Sequence, residues 1–320
     1  MRFDVLINGG AGSVDADDEA AEVAAITEAF VAAGAEAEVR VVDPKDMHDE
    51  VRACWAADPR PKAVVVAGGD GTVSCAAGAA VGTDIVLGVL PLGTFNHFAK
   101  DVGVPAGLGD AAAALVRAEV ATIDVGEVNG EVFVNNSVLG LYPDLVAVRD
   151  EIRERRGWGK VRAVPVAAVH VLRRFPLHRL DLDGPGYRRE RVRTPLVFVG
   201  NGVFANEGFG TPVRTDLSDG VLGVSISRVV SRWGIVRTVV RGLLRGTAAA
   251  TDLDEIELTS LTVGLRSKRV RVAIDGEVLE LTPPLRYRVR PAALHVLVPE
   301  PVVGDPPSTG DEPVEVRDGD

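Results

Sequence analysis

Five short polar stretches carry residue types suited to chemistry at anionic groups. Gly68-Gly69-Asp70-Gly71-Thr72 follows the apolar run Val64-Val65-Val66-Ala67 and precedes an Ala-rich run from Val73 to Ala80. A strand, a glycine turn and a helix start make a phosphate-binding geometry: glycines let the backbone approach the anion, and N–H groups at the helix N-terminus point at it. It is not the Walker pattern, because no Gly-Lys-Ser/Thr follows. An anion-binding turn has no structural need for the carboxylate of Asp70, so that residue is expected to meet a metal or orient a nucleophile. Asn8-Gly9-Gly10-Ala11-Gly12 and Pro91-Leu92-Gly93-Thr94-Phe95-Asn96-His97-Phe98 end two further apolar runs. Asp275-Gly276-Glu277 closes the alternating run Arg269–Ile274, and a plain Asp-Gly β-turn is the simplest account of it. Asp216-Leu217-Ser218-Asp219-Gly220-Val221 has the spacing of a short metal loop without the ligand count of an EF-hand; a solvated Asx-type turn accounts for it equally well. His48, His170, His178 and His295 offer no metal spacing, and His97 reads as a packing residue.

The elements that position these residues follow from periodicity. Strands are expected at 2–7, 37–42, 62–67, 85–90 and 120–125, with helices at 15–31, 45–57 and 73–80 between them. A further short helix should run to Ala118 with Asp110 as its cap. Alternating strands and helices predict a parallel α/β sheet, whose ligands bind at the strand C-termini, where three of the glycine-bearing loops fall. Near residue 125 the pattern changes. Asn129-Gly130 between apolar pairs predicts a hairpin, residues 145–175 read as helical, and β signals dominate at 178–182, 187–193, 195–200, 221–227, 256–263, 269–274 and 285–298. The fold class is therefore α/β, a parallel N-terminal nucleotide-binding domain over 1–124 followed by a β-sandwich over 125–298. The Pro-, Gly- and acid-rich tail 299–320 reads as disordered.

The composition is globular, 46% hydrophobic and 25% charged. Two cysteines, Cys54 and Cys75, make neither a disulfide framework nor a zinc site and predict a cytoplasmic, reducing setting. The net charge of −11 is unevenly spread: residues 1–124 hold 8 Lys and Arg against 20 acids, and residues 125–298 hold 26 against 19. Arg228, Arg232, Arg237, Arg241 and Arg245 recur with apolar residues between them, about a helical segment expected at 231–245, the pattern of a basic amphipathic helix at the inner face of a membrane or of a helix packed on the sandwich. No nucleic-acid motif accompanies the basic half, so a nucleic-acid partner is not expected.

Taken together, Asn8–Gly12, Gly68–Thr72, Pro91–Asn96 and Ile274-Asp275-Gly276-Glu277 resemble, in order and spacing, the diacylglycerol kinase catalytic-domain family, which includes soluble bacterial lipid kinases and the sphingosine and ceramide kinases. Gly-Gly-Asp-Gly-Thr alone also occurs in NAD kinases; Pro-Leu-Gly-Thr-x-Asn favours the lipid kinases. The resemblance covers roughly residues 2–298. It implies an ATP- and Mg²⁺-dependent kinase acting on a hydroxyl of a diacylglycerol-like lipid, with the active site in the cleft between the two domains. It would place ATP phosphates on Asn8, Gly12, Gly68, Gly69, Gly71 and Thr72, and the adenosine end near Gly93, Thr94 and Asn96. It would make Asp275 the general base, with Glu277 and Asp70 as active-site acids, and Asp216, Asp219 and the Val221 carbonyl the Mg²⁺ ligands. Partners would be the lipid acceptor and a membrane surface, with a homodimer compatible.

Two departures from the family pattern stand out. Gly9 replaces the usual proline of the first loop, and His97 replaces the aspartate after Asn96. The alternatives to a lipid kinase are a kinase of a soluble metabolite such as NAD and a non-catalytic nucleotide- or lipid-binding regulator, which only His97 favours.

Overall fold

The computed structural model describes residues 1–9, 16–156, 160–175, 177–205, 213–214, 216–234, 237 and 253–299. Gly10–Gly12, the tail from residue 300 and most of the 231–245 segment, for which the sequence carries expectations, lie outside these residues.

The N-terminal part alternates as its apolar spacing requires: β1 (Arg2–Asn8), α1 (Ala16–Ala32), β2 (Glu36–Val42), α2 (Met47–Trp55), β3 (Val64–Gly68), α3 (Asp70–Ala80) and β4 (Val86–Pro91). The sheet order is β2-β1-β3-β4, all parallel. Strand β3 is buried along its whole length, which explains why it reads as a continuous Val run rather than an alternation. Two short helices follow, α4 (His97–Asp101) and α5 (Leu108–Arg117). Helix α3 begins at Asp70, not at Val73, so the glycine loop is itself the first helical turn. The cap of α5 is Gly107, and Asp110 sits in the first turn instead.

The change of pattern near residue 125 is a change of topology. β5 (Glu119–Val128) turns through Asn129-Gly130, both with φ positive, into β6 (Glu131–Phe133), as the hairpin motif predicts. Then come β7 (Asn136–Gly140), the helices α6 (Leu141–Arg156) and α7 (Lys160–Arg174), β8 (His178–Gly184), β9 (Tyr187–Thr194), β10 (Leu196–Asn201), the short β11 (Phe204–Ala205) and β12 (Val213–Arg214), and β13 (Leu222–Ser227). The chain closes with β14 (Leu253–Leu258), β15 (Ser260–Gly264), β16 (Val270–Ile274), β17 (Glu277–Leu281) and β18 (Leu285–Val298). The single strand expected at 256–263 is two strands in two sheets, with the chain crossing between them at Thr259.

Among the described residues, a 6-stranded sheet, β14-β13-β10-β7-β16-β17, faces the half of a 10-stranded sheet formed by β18, β15, β8 and β9. Leu139, Val199, Val224 and Val272 from the first sheet and Leu180, Leu261, Val263 and Tyr287 from the second share one core. The two sheets thus pack face to face as a sandwich. Strand β18 belongs to both halves of the molecule. Its first part pairs with β15; its last part, His295 and Val296, runs parallel to β4 and completes the N-terminal sheet. Between them a bulge places Ala292 at positive φ, and the buried Asp124 carboxylate accepts its N–H at 2.8 Å.

Candidate active site

The first strand ends beside the glycine loop. Asn8 donates its side-chain amide to Thr72 Oγ1 at 2.7 Å, joining the tip of β1 to the first turn of α3. The first loop amide inside the helical ladder is that of Val73, bonded to the Gly69 carbonyl. The N–H groups of Asp70, Gly71 and Thr72 therefore fall outside that ladder, at the positive end of an 11-residue helix. Gly68 has to be glycine, since a Cβ there would stand 2.5 Å from Thr72 Oγ1. The Pro91–Asn96 loop packs on this turn. Its Leu92 N–H reaches the Gly68 carbonyl at 3.2 Å, and the Gly93 backbone touches that of Gly69. Asn96, at φ 50°, holds the loop closed: its Oδ1 accepts the Gly93 N–H at 2.9 Å and its Nδ2 donates to the Gly93 carbonyl at 2.7 Å.

Asp70 has the structural duty that the sequence reading denied it. Its Oδ1 accepts the N–H of Phe98 at 3.2 Å, in the first turn of α4. An oxygen at that position satisfies one of the orphan donors of a helix N-terminus, here supplied from another loop rather than from the cap residue.

Across a cleft of about 690 Å³ stands Asp275. It occupies the two-residue turn Asp275-Gly276 that joins β16 to β17, both residues at positive φ, so the simple β-turn account of this motif is correct for the backbone. The side chain goes further. It is buried, with 8% of the residue exposed. Its Oδ1 accepts the N–H groups of Asn135 and Asn136, each at 2.9 Å, and its Oδ2 accepts that of Val134 at 2.8 Å. The nearby hydroxyl of Ser74, one turn into α3, also favours the charged carboxylate. Burial pushes the Asp275 pKa up; these donors pull it back, and burial prevails. Glu277, two residues on, is exposed and directs Oε1 to within 3.2 Å of the position a Cβ on Gly71 would take. The motifs around residues 70, 93 and 275 therefore meet at one cleft although they lie far apart in the chain, with Asn8 tied to the glycine loop behind it.

Asp70, Thr94, Phe95 and His97 line one side of the cleft, and Asn135, Asn136, Asp275 and Gly276 the other. Val138, Leu196, Phe198 and Tyr142 give it an apolar wall, and Arg149 of α6 lies at its edge. His97 stacks on Phe95 with ring centroids 5.7 Å apart, the packing role expected of it.

Asp216, Asp219 and Val221 gather elsewhere. Asp216 Oδ1 takes the Ser218 N–H at 2.8 Å, an Asx turn, which holds its carboxyl below the ordinary value. Asp219 Oδ1 accepts the Val221 N–H at 3.2 Å, and the Val221 carbonyl accepts that of Gly202. Burial raises the Asp219 pKa, with the charges of Asp216 and Asp124 adding to it. This loop is clamped by Asp124, whose Oδ2 accepts the Gly220 N–H at 2.7 Å. Among the described residues no three or more His, Cys, Asp or Glu side chains converge as a metal cluster.

Several residues of the site have no sequence motif of their own. Asp124, Ser74, the Val134–Asn136 turn, Tyr142 and Phe198 were missed. So were Asp101 and Arg214, whose side chains form a fully buried ion pair behind that turn. The Asn135-Asn136 pair was the available signal, since two adjacent amides seldom serve packing alone.

Comparison with known proteins agrees with this geometry. Residues 2–128 match the family profile described as the diacylglycerol kinase catalytic domain. Residues 147–298 match the profile described as the YegS C-terminal NAD kinase beta sandwich-like domain. A protein named diacylglycerol kinase, from Mycobacterium tuberculosis strain CDC 1551 / Oshkosh, is 33% identical over 271 residues, covering 79% of this chain and 82% of its own. A Pseudomonas aeruginosa protein named "Probable lipid kinase YegS-like" is 32% identical over 298 residues, covering 89% and 93%. A crystal structure of a diacylglycerol kinase from Bacillus anthracis str. Sterne superposes with a TM-score of 0.65 at 18% identity, covering 95% of this chain and 98% of that one, which shows the shared fold. On the two matched profiles and these relatives, the chain belongs to the diacylglycerol kinase catalytic-domain family.

Proposed function

We propose that this protein transfers the γ-phosphoryl group of ATP to a hydroxyl of a diacylglycerol-like lipid. The observation that carries the reading is the cleft itself. It joins helix N-terminal amides on one side to a buried carboxylate on the other, and Val138, Leu196, Phe198 and Tyr142 line it between them. A polar acceptor needs no such apolar wall; the acyl chains next to a lipid's hydroxyl do.

Phosphoryl transfer is mostly positioning and charge neutralisation. The amides of Asp70, Gly71 and Thr72, together with Asn8 and the first loop at Gly12, hold the ATP phosphates. Gly93, Thr94 and Asn96 take the nucleoside end. Asp275 removes the proton of the acceptor hydroxyl, a contribution of about 10²–10⁴-fold. Three fixed backbone N–H groups hold the carboxylate in place as it takes the proton. Glu277 and Asp70 set the charge around the transferring group.

Asp216 and Asp219 with the Val221 carbonyl form an all-oxygen set suited to Mg²⁺, which keeps several waters and needs few protein ligands. Like charges already oppose ionisation of Asp219, and a cation there would relieve that cost. The ion when bound supplies positive charge to a loop that Asp124 ties to β5 and β18.

In this reading residues 1–124 carry the nucleotide and 125–298 the acceptor. The enzyme meets its acceptor at a bilayer, through the basic segment from Arg228, where Trp233 is 76% exposed. The word NAD in the description of the second profile favours one rival, a soluble acceptor. Incubation with γ-labelled ATP, Mg²⁺ and either diacylglycerol micelles or NAD separates the two. Label in the lipid supports the proposal; label in NAD alone replaces it.

A further inference from the structure

The Arg214–Asp101 pair lies outside every motif, yet it leads directly to Asp275. The two side chains are 0% and 5% exposed, with Nη2 to Oδ2 at 2.7 Å and Nε to the same oxygen at 2.8 Å. A buried ion pair is weak evidence of stabilisation, because desolvation of two charges offsets their attraction. What it gives is direction. The rest of the guanidinium is spent on the turn that cradles Asp275 and on the end of β10: Nη1 donates to the carbonyls of Val134 and Asn201, and Nη2 to Asn135 Oδ1 at 3.4 Å. The rings of Phe98 and Phe204 hold its carbon 5.9 and 5.8 Å from their centroids.

The Val134 carbonyl and the Asn135 N–H belong to one peptide group. Arg214 donates to its oxygen; Asp275 accepts from its nitrogen. A cation at one end of a peptide and a carboxylate at the other polarise it in the same sense, which strengthens the N–H as a donor. Asp101 ends α4, the helix whose first turn is bonded to Asp70 in the glycine loop. One five-residue helix therefore spans from the phosphate loop to the anchor of Arg214.

We propose that Arg214, aimed by Asp101, is a positioning residue that fixes the Asp275 carboxylate relative to the glycine loop and favours its ionised form through the Val134–Asn135 peptide. The inference rests on the reading of Asp275 as the base. The other ionisable groups around Asp275 are Asp70 and His97 across the cleft, Tyr142 and Arg149 from α6, and Glu277 just beyond its own turn.

The test compares wild type, Arg214→Met and Arg214→Lys by two readouts. The first is ¹³C NMR titration of the Asp275 carboxyl, assigned against Asp275→Asn, which needs no activity. The second is the pH profile of labelled transfer to diacylglycerol. Loss of the guanidinium moves the Asp275 midpoint to higher pH. It also lowers kcat, on the order of 10²-fold for a misplaced reacting group, with the KM for ATP little changed. Lysine, with its charge but no planar fork, falls between and serves alone if the methionine variant does not fold. An unchanged midpoint and kcat in a folded variant overturn the proposal. A shifted midpoint in a protein whose wild type labels no lipid upholds the Arg214–Asp275 coupling and removes the kinase reading instead.

Discussion

Gly93 and Gly69 meet backbone to backbone: a Cβ built on Gly93 would stand 2.4 Å from the Gly69 Cα. The two glycine-bearing loops are one object, and Gly93 has no space for a side chain at the contact. Gly93→Ala should destabilise the protein by about 1–3 kcal/mol, the range for forced overpacking, and raise the KM for ATP. Gly78→Ala is the matched control. It lies within α3 with nothing within 4 Å of its added Cβ, and should stabilise by roughly 0.5–1 kcal/mol. Thermal unfolding of the two variants checks both signs.

Asp70 can be split into its two roles. Asp70→Asn keeps an oxygen for the Phe98 N–H and removes the charge; Asp70→Ala removes both. The alanine variant should lose about 1 kcal/mol, as for a lost helix-capping oxygen, with faster hydrogen exchange at Phe98. The asparagine variant should keep that stability and lose activity. Full activity in Asp70→Asn would confine Asp70 to structure.

Ser74 offers a way to move the working pH of Asp275. Its hydroxyl favours the ionised carboxylate, so Ser74→Ala should raise the Asp275 pKa further. The base works only when deprotonated. Activity falls as pH drops through its pKa, and in the variant that acid limb should begin at higher pH, with the alkaline limb unmoved. A pH profile of kcat/KM reads this directly.

If the 216–221 loop holds Mg²⁺, the ion should raise the thermal stability of the wild type, by about 2.7 kcal/mol at a hundredfold excess over its Kd. Asp219→Asn should abolish that gain. An equal Mg²⁺ effect in both proteins would remove the loop as the metal site.

The legible parts of this fold were those written locally. Alternation and glycine turns gave β1 to β4, the Asn129-Gly130 hairpin and the Asp275-Gly276 turn, because each needs only its own few residues. The structure departs where partners are remote. Nothing near Asn136–Gly140 announces that β7 pairs with β10 and β16. The crossing at Thr259 breaks an apparently continuous strand because its halves face different sheets. Asp70 seemed to lack a structural duty because its partner, Phe98, lies on another loop. Arg214 looks like any surface arginine in sequence; only the fold brings Asp101 and Val134 to it.

The most direct measurement is transfer from γ-labelled ATP into a lipid extract in detergent micelles, with Mg²⁺, by the wild type and Asp275→Asn side by side. The amide keeps one acceptor oxygen but turns N–H groups toward N–H donors, so its folding is verified first, with an expected cost of about 1–3 kcal/mol. The account predicts a labelled phospholipid from the wild type, reduced on the order of 10²-fold or more in a variant that still binds ATP. Equal labelling by both proteins, or no labelled lipid from a wild type that binds ATP, would contradict it.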